Sequence, residues 1–90
     1  MSVAKLFGEN LAREREAAGL SQEEVGIRAA VHRTEVSQLE RAQRTPRIDT
    51  LVKLAGALGV EPSALLDGIT WTPATLWPGR FEQPDPDATL

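Results

Sequence analysis

Ninety residues with 41% hydrophobic and 26% charged content describe one small globular domain with room for a tail, and exclude a disordered chain. The absence of cysteine excludes a disulfide framework, a thiolate metal site and a cysteine nucleophile. The net charge of −3 argues against bulk, sequence-blind attraction to nucleic acid, but it leaves room for a local basic face.

The N-terminal stretch MSVAKLFGENLARERE turns charged within ten residues. It has no long apolar run of the kind that a signal peptide or a membrane span requires, so a soluble cytoplasmic protein without a membrane partner is expected. Residues 4–18 read as a first helix, with Phe7 and Leu11 on one face and Gly19 at its C-terminal stop. Ser21 and Glu24 form an S-x-x-E capping box that opens a second helix, which ends near Ala30. A third helix is expected from about Arg33 to Ala42, before Pro46. A fourth runs from about Ile48 to Leu58, with Ile48, Leu51, Leu54, Ala55 and Leu58 on one apolar stripe, and Gly59 stops it. Pro62 suits the first turn of a short fifth helix that ends at Gly68.

Composition changes after Gly68. Residues 69–90 hold four of the six prolines and both tryptophans. ITWT and GRFEQ are short alternating stretches separated by turn-forming residues, which predict an extended or hairpin tail. The chain therefore divides into a helical domain, residues 1–68, and a Trp/Pro-rich tail, residues 69–90.

Charge points to the third helix. Residues 1–20 balance, residues 21–47 carry five arginines against four glutamates, and residues 48–90 carry two basic side chains against six acidic ones. On a wheel of about 100° per residue, Val36 and Leu39 share one side of the third helix. Arg33, Thr34, Ser37, Gln38 and Arg41 fall on the opposite arc, which contains no acid. Arginine matches guanine bidentately, glutamine matches adenine, and serine or threonine serves several bases, so this arc suits the major groove of duplex DNA. An ordinary solvated helix face has the same pattern. Two short helices joined by a three-residue turn, the second with this polar face, favour the DNA reading because together they make a helix-turn-helix.

From Leu20 to Gly68 the chain resembles the phage-repressor and Cro-like (XRE-type) helix-turn-helix family. The resemblance is carried by LSQEEV, RAAV, VSQLERAQRTP and TLVKLAGALGVEPSALLDG. It implies an all-α, five-helix repressor-like domain in a transcriptional regulator, a repressor that binds double-stranded DNA as a homodimer. It also implies residue roles. Arg33, Thr34 and Gln38 would read base edges, with Ser37 on the groove side. Gln22, Arg41, Arg44 and Arg47 would hold phosphates. Arg15 and Glu40 would form a structural salt bridge between the first and third helices.

The chain departs from the family pattern at several positions. Ala30 and Ala42 stand where glycine is usual, and an alanine forced to positive φ costs about 1 kcal/mol. His32 stands where serine or threonine usually caps the third helix. It reads as a weak cap or loop residue or, alternatively, as a phosphate contact that strengthens at low pH. Ile27 replaces a polar residue and reads as an isolated exposed side chain.

Catalysis is not expected. The chain has one histidine, no tyrosine and no glycine-rich phosphate loop, and no spacing matches a metal site, so neither metal nor cofactor is expected. The apolar side chains of the tail, Ile69, Trp71, Leu76, Trp77 and Phe81, leave three readings open. They pad the helical core, they form the dimer contact, or they bind a protein partner. The last would suit the antitoxin of a toxin–antitoxin pair that binds both its own promoter and a toxin.

Overall fold

The computed structural model describes residues 2–74 and 79–81. Five helices are followed by a hairpin: α1 Val3–Ala17, α2 Gln22–Ala29, α3 Arg33–Glu40, α4 Ile48–Leu58, α5 Pro62–Leu65, β1 Trp71–Thr72 and β2 Arg80–Phe81. The all-α domain and the short C-terminal hairpin agree with the sequence expectation.

The first two helices begin on a side-chain cap. The Ser2 hydroxyl accepts from Lys5 N–H at 3.1 Å and opens α1. At α2 the capping box is complete: Glu24 N–H donates to Ser21 Oγ at 3.0 Å, and Ser21 N–H donates to Glu24 Oε1 at 2.9 Å. The Ser21 backbone N–H holds the Glu24 carboxyl below the usual carboxylate range. The box therefore contributes at and above that range and weakens as pH falls through it.

Four helix ends share one C-terminal device. A residue of positive φ turns the chain, and the next N–H reaches back to a carbonyl of the last turn. These bonds are Leu20 N–H to Arg15 O, Val31 N–H to Gly26 O, Gln43 N–H to Gln38 O and Val60 N–H to Ala55 O, at 2.9–3.1 Å. Glycine supplies the positive φ at Gly19 and Gly59, whereas alanine does so at Ala30 (φ 55°) and Ala42 (φ 60°). The turn at Ala42 ends α3 at Glu40, two residues short of the expected boundary.

The buried core takes Phe7 and Leu11 from α1, Val25 and Ala29 from α2, and Val36 and Leu39 from α3. Leu51, Leu54, Ala55 and Leu58 of α4 and Leu65 of α5 complete it. Helix α1 packs on α3 and α5, and α2 packs on α3 and α4. The α1–α3 crossing is close because Gly8 has no side chain: a Cβ there would lie 2.5 Å from Leu39 O and 2.8 Å from Glu40 O.

Ile48 does not join the core stripe of α4. It is 77% exposed, and Val52, one turn on, is 54% exposed. Ile48 is the first residue of the helix and lies about 70° from the centre of the arc set by Leu51, Leu54, Ala55 and Leu58. It therefore lies at the edge of the stripe, outside the core.

Helix α5 is one turn long and stops before Gly68, because α1 intercepts its carbonyls. Buried Asn10 donates from Nδ2 to Leu65 O at 3.0 Å and to Asp67 O at 2.8 Å. Its Oδ1 accepts from Arg13 Nη1 at 3.0 Å. In the tail, Trp71 pairs with Phe81 and Thr72 with Arg80 in antiparallel register. The Trp71 and Phe81 rings meet edge to face, with centroids 5.1 Å apart. The Trp71 indole covers Gly79, where a Cβ would collide with the ring.

The left-handed conformation costs an L-residue about 1–2 kcal/mol, more than the entropy glycine adds to the unfolded chain. Ala30→Gly should therefore stabilise the fold by roughly 0.5–1 kcal/mol, raising Tm by a few degrees. A thermal melt followed by circular dichroism measures this, and an unchanged or lower Tm would show that the turn carries no strain.

Candidate nucleic-acid interface

Helix α3 is anchored by Val36 and Leu39, both fully buried against α1 and α2. That anchorage fixes which arc faces outward. Arg33, Thr34 and Arg41 are exposed, and Ser37 and Gln38 are half-buried beside them. His32, Arg33, Thr34, Ser37 and Arg41 line one shallow, open hollow along the helix. Its lining contains hydroxyls, guanidinium groups and an imidazole, and no carboxylate. His32 is expected as a weak cap or loop residue, or as a phosphate contact. The His32 side chain makes no cap hydrogen bond, and its imidazole lies in the hollow with the arginines.

The α2–α3 turn sets the pitch between the two helices. A Cβ at Gly26 would lie 2.9 Å from Val31 O and 3.3 Å from Arg33 N, so the turn closes directly onto α2. Glycine at 26 permits this approach.

A charged junction ties the three helices together. Arg15 of α1 donates from Nε to Glu40 Oε2 at 2.6 Å and from Nη2 to Glu40 Oε1 at 3.0 Å. Its Nη1 donates to Leu20 O at 3.0 Å. Gln22, at the first position of α2, donates from Nε2 to Glu40 Oε1 at 3.1 Å. The side chains of Arg15 and Glu40 are only 17% and 8% exposed. Its hydrogen bond to the Glu40 carboxylate raises the Arg15 guanidinium above its ordinary range, against the opposing effect of burial, so Arg15 keeps its charge at any working pH.

The other basic residues lie around this frame. Arg41 follows α3 as its C-terminal cap, and Arg47 is the N-cap of α4. Arg47 is exposed and 3.6 Å from Asp49. Arg44 folds back along α3 towards Glu35 and Gln38. In the tail, Ile69 packs against the core, while Trp71 and Phe81 stay 55% and 46% exposed. Leu76 and Trp77 lie outside the described residues.

Three contacts escaped sequence reasoning: the clamp that Asn10 places on α5, the bond from Gln22 to Glu40, and the return of Arg44 onto α3. All join residues separated by a turn or by most of the chain, and no periodicity marks them.

Comparison with known proteins agrees with this geometry. A helix-turn-helix family model matches residues 11–65. An uncharacterized HTH-type transcriptional regulator of Sinorhizobium fredii is 44% identical over 73 residues, covering 81% of this chain and 95% of that protein. The restriction-modification controller protein C.AhdI from Aeromonas hydrophila has a similar structure, with a TM-score of 0.67 at 39% identity over 69% of this chain and 94% of that one. The P22 c2 repressor in complex with a synthetic operator gives a TM-score of 0.64 at 31% identity, again over 69% of this chain and 94% of that one. These similarities are to regulators, controllers and repressors and lend no support to an antitoxin.

Glu40→Ala would leave the Arg15 guanidinium short of two donors' partners in a largely buried site. Stranding one charge of a buried pair costs about 3–5 kcal/mol, and the slight exposure of Arg15 puts this case at the lower end. Tm should fall by on the order of 15 °C. A melt indistinguishable from the parent would show that the junction contributes nothing to folding.

Proposed function

The chain belongs to the helix-turn-helix family and is a DNA-binding transcriptional regulator; on that premise we propose that it acts as a repressor, reading the major groove with one face of α3. The observation that carries this reading is the acid-free hollow of His32, Arg33, Thr34, Ser37 and Arg41, set on a helix whose opposite face is locked into the core. Arg33 and Thr34, exposed in the first turn of α3, meet base edges, with Ser37 and Gln38 one turn behind. The backbone N–H at the start of α2 and the Gln22 amide meet a phosphate, where the helix end favours an anion. Arg41, Arg44 and Arg47 continue the phosphate contact past the end of α3. Its work is binding, not catalysis, since the side chains of the hollow are hydrogen-bond donors presented on an open surface. It acts in the cytoplasm, with its DNA. Among the described residues no helix is long and apolar enough to cross a membrane.

A single recognition helix spans only a few base pairs. Two-fold pairing of protomers would place two such helices about 34 Å apart on successive turns of the duplex. Among the described residues, apolar side chains for that pairing are exposed in the tail, at Trp71 and Phe81, and on α4, at Ile48 and Val52. The tail is the better supported, because a two-stranded hairpin is marginal in water and gains most from a covering surface.

Selection from random duplex DNA should return a two-fold symmetric site. Arg33→Ala should lose ~1–3 kcal/mol at one base pair of each half-site and relax the preference there. A selected motif and an affinity untouched by that substitution would remove α3 from the reading.

Dimerisation through the tail is decided by ending the chain after Gly68 and measuring mass in solution. A folded monomer is expected. A truncated protein as dimeric as the parent would move the contact to the Ile48–Val52 face of α4.

A further inference from the structure

Arg44 lies beyond the end of α3, yet its guanidinium returns to that helix. Its Nη1 donates to Gln38 Oε1 at 3.4 Å, and its Nη2 stands 3.9 Å from Glu35 Oε2. Glu35 and Gln38 are three residues apart, on neighbouring positions of the helix surface. The guanidinium is thus held between a carboxylate and an amide, one turn apart. The turn at Ala42, with its φ of 60° and the bond from Gln43 N–H to Gln38 O, sends the chain back in this direction.

The chemistry of the contact fixes the orientation of the amide. A guanidinium carries only donors, so the side of Gln38 that faces it must be the carbonyl oxygen. The amino group is then on the other side of the amide. A glutamine that pairs bidentately with adenine needs both ends: Oε1 to accept from the adenine amino group and Nε2 to donate to N7. Arg44 takes one of the two lone pairs of Oε1 and leaves the adenine amino group a single lone pair in a fixed direction, which weakens that mode. It favours a base edge that offers acceptors to Nε2, and guanine offers two, N7 and O6.

We propose that Arg44 is a positioning residue that orients Gln38 as a donor, so that Gln38 selects guanine over adenine. This rests on the reading of α3 as the base-reading helix. It adds that the residue past the helix sets the base preference of a residue on it. Arg44 is not thereby removed from the phosphate. Its guanidinium has five N–H donors; the hydrogen bond to Gln38 uses one, and Glu35 is a looser ion pair at 3.9 Å. A phosphate held by the remainder would fix the guanidinium further and exclude water from the Gln38 contact. Each contact is weak in an exposed free protein, but orientation requires only a bias, and a drier interface strengthens it.

The test is selection from random duplex DNA with the full chain, followed by competition between duplexes that differ at one base pair. Four proteins are compared: the parent, Arg44→Ala, Arg44→Lys and Gln38→Ala. Gln38→Ala locates the base pair that Gln38 meets, as the position where preference is lost. At that pair the parent should prefer guanine over adenine by about tenfold. Arg44→Ala should reduce the ratio to about threefold or less at that pair alone, with the Arg33 position unchanged, and Arg44→Lys should restore most of it through its ammonium donors. Uniform weakening by Arg44→Ala, with every base preference intact, overturns the proposal and leaves Arg44 a phosphate contact. A parent preference for adenine at that pair also overturns it. If Gln38→Ala changes no position, the reading of Gln38 itself fails, an outcome distinct from both. Arg44 is exposed, and equal melting curves for parent and variants exclude misfolding as the cause of a changed preference.

Discussion

The carboxylate of Glu40 is the constraint on which the arrangement of the first three helices rests. It sits at the last position of α3 and accepts from Arg15 of α1 and Gln22 of α2. A nearly buried carboxylate is costly unless its lone pairs are taken, and here one guanidinium fork and one amide take them. The geometry is demanding, so α3 has one position relative to α1 and α2 that satisfies it. Gly8 makes that position reachable, because any side chain at 8 would press on the carbonyls of Leu39 and Glu40. Ion pair and close approach thus act at one point on α3, its C-terminal turn.

Fixing that turn fixes the outward arc. Val36 and Leu39 set the rotation of α3, and the junction at Glu40 sets its position along the axis. Arg33 and Thr34, at the other end of the helix, are therefore presented at a defined height above the N-terminus of α2. Gln22 links the two functions. Its amide is oriented by Glu40, while its backbone N–H lies in the first turn of α2, where an anion is favoured. A residue suited to hold phosphate is thereby tied to the same carboxylate that holds the recognition helix.

Charge is divided in a way that suits specific binding. The basic side chains cluster from Arg28 to Arg47, while the second half of the chain is acidic. Local attraction to DNA then comes from this stretch of the sequence, while the net negative charge opposes sequence-blind adsorption. The two alanines of positive φ, Ala30 and Ala42, bracket α3, one before it and one after it. Each carries a backbone cost in order to reverse the chain tightly, and the tertiary contacts of α3 hold both in place.

Much of this was legible in the sequence, because the signals are local. The capping box at Ser21 and Glu24, the stops at Gly19 and Gly59, and the apolar pair of α3 each depend on residues within a turn or two of one another. The polar arc of α3 follows from the same periodicity, and the pairing of Arg15 with Glu40 came with the family resemblance. Tertiary structure decided what depends on through-space distance. Ile48 fits a helical stripe by spacing, yet it stays outside the core, because the stripe does not say how far the neighbouring elements cover it. Asn10 gives no periodic signal, yet it closes α5 across more than fifty residues. Arg44 reads as one more basic residue, and only the reversal at Ala42 brings it over Gln38. Periodicity assigns a residue to a face of its own element. Which atoms of another element meet that face depends on how the elements close on each other, and that is settled only when the core and the Glu40 junction form together.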